Sequence, residues 1–308
     1  MSNSKLLITL CLVLSALSCE EFFDQEVILP QPEFDKLLAI YSFISNEDDT
    51  LLIPVSRNFG ILENNPDSAY SVLDAKVEWI EDGQAPLVLP LNSAYRPATN
   101  FLQLSQPLKA KTGYTIRVSH PDYPTISARQ VMPGIVPLDS AVYDPDGPIN
   151  SEGRRQQQVR FTFKDPADEV NYYEFNLRTT YLNRITRGFD QATKKFIYDT
   201  VYRKGDIYLY GATEPTAKPG PQTFLVSDRA FNGRSITIGI NFGAWQTVKD
   251  VEAIMRNISY ENYLYKISRR KFDDARSDPF VDPVILYSNV QNGIGVFGLQ
   301  TEQRKVVK

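Results

Sequence analysis

Gly113-Tyr114-Thr115-Ile116-Arg117-Val118-Ser119 is the stretch from which the fold can be read. Tyr114, Ile116 and Val118 alternate with Thr115, Arg117 and Ser119, the period of a strand with one buried and one wet face. Thr112-Gly113 breaks the chain just before it. Upstream, residues 37–44 and 51–55 read as strands on either side of an acidic turn at 46–49. Val77 and Trp79 precede Asp82-Gly83, a hairpin signal, and residues 84–89 follow it. Residues 126–131 close the run. About seven short strands without a helical period predict a small antiparallel sandwich of immunoglobulin-like type over residues 37–132. No Cys…Trp…Cys pattern is present, which excludes an antibody-type domain.

Met132-Pro133-Gly134-Ile135-Val136-Pro137 cannot continue a sheet and marks a stiff elbow. Beyond it, residues 138–301 predict a second β-rich, sandwich-like domain, followed by a tail at 302–308. Val159, Phe161 and Phe163 alternate in one strand. Tyr173, Phe175, Leu177 and Thr179 share a face of the next. Residues 187–199 form a polar insertion, the tip of a long hairpin. Ile207 and Leu209 then alternate against Tyr208 and Tyr210. One helix is expected over 260–271, capped by Ser259, with Tyr260, Tyr263, Leu264 and Ile267 as its apolar stripe. Residues 283–297 read as strand, turn, strand around Asn292-Gly293, with Gly295 or Gly298 at a bulge or a close backbone approach. The fold class is all-β, mainly antiparallel, with one C-terminal helix.

The N-terminus sets the address. Lys5 precedes an apolar run at 6–17, too short to span a bilayer as a helix, which takes about 20 residues. It fits a signal peptide over residues 1–18. Leu14 to Cys19 resembles the bacterial lipobox, which makes Cys19 the lipidation site and the membrane the first partner. Residues 19–36, with Pro30 and Pro32, form an extended tether. Glu20, Glu21, Asp24 and Glu26 resemble the acidic signal that sends Bacteroidota lipoproteins to the outer face of the outer membrane.

Composition excludes several function classes. The chain has 308 residues, 42% of them hydrophobic, enough for real cores. Net charge is -4 with scattered basic residues, so no nucleic-acid partner is expected. The two cysteines, Cys11 and Cys19, are spent on signal and anchor, leaving no disulfide and no thiol nucleophile. His120 is the sole histidine, so neither a Ser-His-Asp triad nor a zinc site can be assembled convincingly. No cofactor motif occurs.

Some residues carry weaker signals. Asp273, Asp274, Asp278 and Asp282 cluster after the helix and could offer oxygen ligands to calcium, although their spacing is not that of an EF-hand. Tyr208 and Tyr210 lead a strand-borne excess of tyrosine suited to partner or glycan contact. Four Asp-Ser/Thr-apolar triplets resemble the O-glycosylation signal of exported Bacteroidota proteins, with acceptors Thr50, Ser68, Ser140 and Thr200.

Ser227-Asp228, Phe231-Asn232-Gly233, the tyrosine-rich residues 260–265, and Pro279-Phe280…Pro283…Tyr287 through Gly298 together carry a family resemblance. The chain is similar to the Bacteroidota outer-membrane lipoprotein family designated domain of unknown function 4249. Val290 and Gln291 stand where Ile and Glu are more usual. Members of that family are commonly encoded beside TonB-dependent receptors. The resemblance therefore implies a non-enzymatic lipoprotein of the outer membrane, accessory or binding partner to such a receptor in nutrient uptake. Ser288, Asn289 and Asn292, with Tyr208 and Tyr210, are the candidate docking residues. The rival readings are a surface adhesin or glycan-binding module, suggested by the tyrosines, and a hydrolase built on paired carboxylates.

Overall fold

A computed structural model describes residues 33–60, 63, 70–94, 99–243, 250–276 and 280–308. The signal peptide, Cys19, most of the tether, Ser68 and Asp278 lie outside the described residues.

The first half supplies β1 (Leu38–Ser45), β2 (Thr50–Ile53), β3 (Val55–Arg57), β4 (Lys76–Glu81), β5 (Leu87–Leu89), β6 (Leu91–Asn92), β7 (Thr99–Gln103), β8 (Gly113–His120) and β9 (Tyr123–Val131). The second half begins with β10 (Leu138–Asp144), β11 (Gln157–Lys164), β12 (Tyr172–Asp190), β13 (Lys195–Asp206) and β14 (Leu209–Ala212). It continues through β15 (Lys218–Pro219), β16 (Thr223–Ser227), β17 (Ser235–Phe242), β18 (Glu252–Ile258), helix α1 (Tyr260–Ala275) and β19 (Ile294–Val306). The protein is thus mostly β with one C-terminal helix, and its sheets are mainly antiparallel.

Four sheets result. The largest runs β15-β16-β12-β18-β19-β1-β3, with β13 paired to β12. Two four-stranded sheets, β5-β4-β8-β9 and β10-β11-β17-β14, and a three-stranded one, β2-β7-β6, complete the set. The expected alternation holds where it is strongest. Tyr114, Ile116 and Val118 are fully buried, as are Val159, Phe161 and Phe163.

Those residues build two cores. The first gathers Ile116 and Val118 with Leu38, Ile40 and Ile44 from β1 and with Phe297 and Leu299 from β19. Trp79 stacks on Tyr114 at 5.1 Å and meets the edge of Phe297 at 5.8 Å. The second core packs Phe161 and Phe163 against Tyr173 and Phe175, with ring centroids 4.8–6.0 Å apart. Each fully buried ring contributes about 1.5–3 kcal/mol. Met132 lies in the first core and Val136 in the second, so the elbow passes between them. It is pinned there, because the Gly134 carbonyl accepts bonds from Asn257 Nδ2 at 3.0 Å and Thr301 Oγ1 at 2.9 Å.

The strands of the expected immunoglobulin-like segment are distributed over three sheets. β1 runs parallel to β19, from Ala39 opposite Ile294 to Ser45 opposite Gln300. The first strand of the chain therefore belongs to the sheet that also carries the C-terminal half.

Two expectations need correction. Helix α1 starts where its cap predicts, but it buries Asn262 and Tyr265 rather than the stripe read from the sequence. Tyr265 packs 5.5 Å from Phe43, while Tyr260 and Tyr263 sit against Tyr172 at 5.1 and 4.7 Å, outside both cores. The second correction is the closing hairpin. Residues 283–290 form no strand, because β19 pairs with β1 and β18 and needs no hairpin partner.

Candidate functional site

β12 changes character along its length. Tyr173, Phe175 and Leu177 are fully buried in the second core, but from Tyr181 onward the strand leaves its sheet neighbours and pairs only with β13. The result is an arm of two strands. Pairing runs from Tyr181 opposite Arg203 to Asp190 opposite Lys195, with a bulge between Thr186 and Gly188. At about 3.3 Å per residue the arm extends roughly 30 Å.

The ends of the arm are fixed by polar contacts. At the root, Arg178 pairs with Asp206 at 3.1 Å, and the Asp250 carboxylate accepts bonds from Thr180 N at 2.6 Å and Thr180 Oγ1 at 2.9 Å. At the tip, Asp190 accepts bonds from Thr193 Oγ1 and from the amides of Ala192 and Thr193. Those bonds, the Thr193 hydroxyl foremost, hold its carboxyl below the usual range and keep it ionised. Lys194 takes the left-handed conformation at φ 54°, which closes the turn.

Eight large apolar side chains on the arm are exposed: Tyr181, Leu182, Ile185, Phe189, Phe196, Ile197, Tyr198 and Tyr202. Register and alternation place Leu182, Phe189, Phe196, Tyr198 and Tyr202 on one face, together with Arg184 and Lys204. Phe189 meets Phe196 edge-on at 5.0 Å, and Phe196 lies 6.3 Å from Tyr198. The Arg184–Thr200 pair separates Leu182 and Tyr202 near the root from Tyr198, Phe189 and Phe196 toward the tip. The arm is also basic. Residues 181–206 contain six Lys or Arg and three Asp, a net +3 within a chain of net -4.

The other sequence-derived candidates lie elsewhere and separately. Tyr208 and Tyr210 are exposed next to and in β14, their rings 5.5 Å apart but tilted by 55°, which is not a flat stacking platform. Asn289 is structural. Its Nδ2 donates to Phe297 O at 2.8 Å and its Oδ1 accepts from Phe297 N at 2.9 Å, so an amide side chain replaces a strand partner. Asn292 sits at φ 57° and donates to Thr125 O at 3.3 Å, and Ser288 Oγ accepts from Val290 N at 3.4 Å. Asn289→Ala should cost about 2–3 kcal/mol, since two bonds go and the Phe297 N–H loses its acceptor. Urea melts of the purified chain would measure this, and an unchanged midpoint would refute the structural role.

Asp273 is paired with Arg269 at 2.9 Å across one helical turn, and Asp274 and Asp282 are exposed. Among the described residues no group of three His, Cys, Asp or Glu could hold a metal. Thr50, Ser140 and Thr200 all lie on strands, β2, β10 and β13, and Thr200 is exposed on the arm. His120 is the last residue of β8, at the turn into β9: its Nδ1 accepts from Asp122 N at 3.1 Å, and its Nε2 lies 3.1 Å from Asp74.

Sequence reasoning missed the buried acids. Asp165 and Asp228 are both buried. Asp165 accepts from Tyr173 OH at 2.5 Å and from Gly233 N at 2.8 Å, while Asp228 accepts from Asn171 N at 2.6 Å. Burial, opposed by the Asn171 bond and reinforced by Asp165, pushes Asp228 up. Burial and the bond to Asp165 push the Tyr173 phenol far above its ordinary value. The Ser227-Asp228 and Phe231-Asn232-Gly233 motifs are explained by these bonds, with Gly233 at φ 75° and no room for a Cβ against Ala167. Both carboxylates accept bonds from the fold's own donors.

A third buried acid, Glu174, bonds Lys266 of α1 at 2.7 Å and Arg256 at 3.4 Å. Arg256 in turn bonds Glu302 at 2.5 Å, and Arg304 closes the chain of charges on Glu302. Burial would raise Glu174, but the attraction of Lys266 and Arg256 outweighs it and holds the carboxyl below its usual range. An open cleft of about 510 Å³ lies between the β4–β5 turn and residues 104–109. Its charged groups, Glu81 and Lys109, are paired at 2.7 Å, and its one tryptophan, Trp79, is buried.

Comparison with curated proteins returns no match. A family model described as a domain of unknown function, DUF4249, matches residues 24–306, nearly the whole chain, and the chain therefore belongs to that family.

Proposed function

We propose that this protein is a non-enzymatic, lipid-anchored component of the outer membrane that acts as accessory or binding partner of a TonB-dependent receptor. The observation that carries the reading is the β12–β13 arm, a ribbon rooted by polar contacts that exposes eight large aromatic and aliphatic side chains. An isolated two-stranded ribbon is marginal in water, and aromatic residues with Arg are what protein interfaces favour. The lipobox-like sequence ending at Cys19 supports the anchor, and the paired state of Asp165, Asp228 and Glu174 supports a binding role over catalysis.

The test is capture from native outer membranes with the full lipoprotein as bait. Replacing residues 183–201 by Asn-Gly joins Leu182 to its cross-strand partner Tyr202 through a two-residue turn. The shortened bait should keep its melting temperature within a few degrees, because none of the replaced residues belongs to a core. It should lose at least tenfold in receptor recovery. Equal recovery by both baits would sink the reading, and a wild-type bait that fractionates as a soluble protein would sink its anchoring half.

A further inference from the structure

We propose that two copies of this chain pair through the outer edge of β13, antiparallel about a two-fold axis at Val201. The two arms then join into one four-stranded sheet. This goes beyond the receptor reading and does not depend on it, because edge pairing leaves both faces of each arm open. β13 runs for 12 residues, Lys195–Asp206, and β12 is its sole strand partner among the described residues. A strand edge of that length is a template for a further strand, and a ribbon of only two strands is marginal in water. The opposite edge of the arm is a poorer template. β12 is bulged between Thr186 and Gly188, and a bulge interrupts edge pairing, whereas β13 has no such break.

Charge selects both the second copy and the register. In an antiparallel pair of identical strands the two-fold axis passes through one residue, and residues equally far on either side of it face each other. Centred on Val201, the pairing spans residues 196–206 and sets Asp199 of each copy opposite Arg203 of the other. Both are available for this contact. Arg203 makes no ion pair among the described residues, and Asp199 has only an exposed contact with Arg187 at 3.6 Å. Centred on Asp199, the axis would set that carboxylate against itself and Lys195 against Arg203, which is repulsive. Centred on Thr200 or Tyr202, no acid of the strand faces a base. Centred on Ile197, Lys195 faces Asp199, but only residues 195–199 overlap. Each arm is net +3, yet antiparallel pairing sends the basic tips, Lys194 and Lys195, to opposite ends, each beside Asp206 of the other copy.

The experiment places a cysteine at the axis, Val201→Cys, in the full-length lipoprotein in its native outer membrane, and treats the membranes with a mild oxidant. Facing residues of an antiparallel pair have Cα atoms about 4.5–5.5 Å apart, within the span of a disulfide. A disulfide-linked dimer should be the main product of Val201→Cys. It should be a minor product of Asn183→Cys, which faces Val201 within the arm but lies on the other edge. Asp199→Arg or Arg203→Asp, added to Val201→Cys, should cut the dimer roughly tenfold, since two attractive cross-strand pairs become repulsive. The two changes together should restore it. Melting temperatures should stay level throughout, because neither residue belongs to a core. Equal dimer from Val201→Cys and Asn183→Cys, or a combined variant that stays monomeric, would overturn the proposal. So would a cross-link from position 201 to a different protein, or none at all. Receptor capture is read separately on the same membranes. A monomeric chain that still captures the receptor rejects the pairing alone, and a dimer that captures none rejects only the partnership.

Discussion

Gly295→Ala should leave the protein unable to fold. Gly295 sits at φ +113°, a backbone conformation that costs a residue with a side chain roughly 1–2 kcal/mol. Space is the greater obstacle. A Cβ there would lie 1.9 Å from the Ile40 carbonyl oxygen, 2.9 Å from its carbon and 3.1 Å from its nitrogen. All three are backbone atoms of β1, directly opposite Gly295 in the parallel ladder, so no side-chain rotation can relieve the overlap. β1 must move off β19, and Leu38, Ile40 and Ile44 leave the first core with it. Each of those side chains contributes about 1.5–3 kcal/mol on burial, so their joint loss is comparable to the 5–15 kcal/mol that holds a typical domain together. Circular dichroism melts and soluble yield would read the result. A variant melting within about 5 °C of wild type would show that the close approach is not required.

The second large effect is expected at Glu174. Removing one partner of a buried ion pair strands the other, at a cost of about 3–5 kcal/mol. In Glu174→Ala, Lys266 loses its partner and Arg256 keeps only Glu302. The melting temperature should fall by about 10 °C at pH 7. Acid provides the internal check. Because the folded-state carboxyl of Glu174 is held below its unfolded value, its contribution is complete above about pH 4.3 and is lost as pH falls through the folded value. The gap between wild type and variant should therefore narrow as the pH is taken below 4. A gap that stays constant from pH 7 into acid would mean that the loss comes from packing and not from charge.

What the sequence made legible was local. Alternation at Tyr114, Ile116 and Val118 and at Phe161 and Phe163 identified buried faces, because a strand's own side chains carry that signal. The glycine reading at 295 also survived, as a close approach of backbone to backbone. The pairing of β1 with β19 was out of reach, since the two strands come from opposite ends of the chain and no local pattern names a distant partner. Helix α1 misled for a related reason. Its tyrosines stack on Tyr172 beyond the cores, while polar Asn262 occupies the buried line against Gly298.

The candidate site was partly legible. The polar insertion at 187–199 reads as a hairpin tip, and it is the distal part of the arm. Its apolar face was overlooked because Phe189, Phe196 and Tyr198 are interleaved with Arg, Lys and Asp, which average to a polar segment. Glu174 was invisible for the converse reason. By alternation with Tyr173 and Phe175 it belongs on the wet face of β12, yet Lys266 of α1 reaches it there and the residue is only 2% exposed.

The order of strands in the large sheet also has a mechanical meaning. The chain enters the folded body at Leu38 in β1, and the arm departs from β12, with only β19 and β18 between them in the same sheet. Tension between the N-terminal segment and anything gripping the arm would thus be carried across three ladders. The first of these, β1 against β19, joins seven residue pairs running in the same direction. A pull along β1 strains its hydrogen bonds together, in shear, whereas a peeling geometry would break them one after another. Under such a load, the strand pairings that close the fold would also be the ones that bear it.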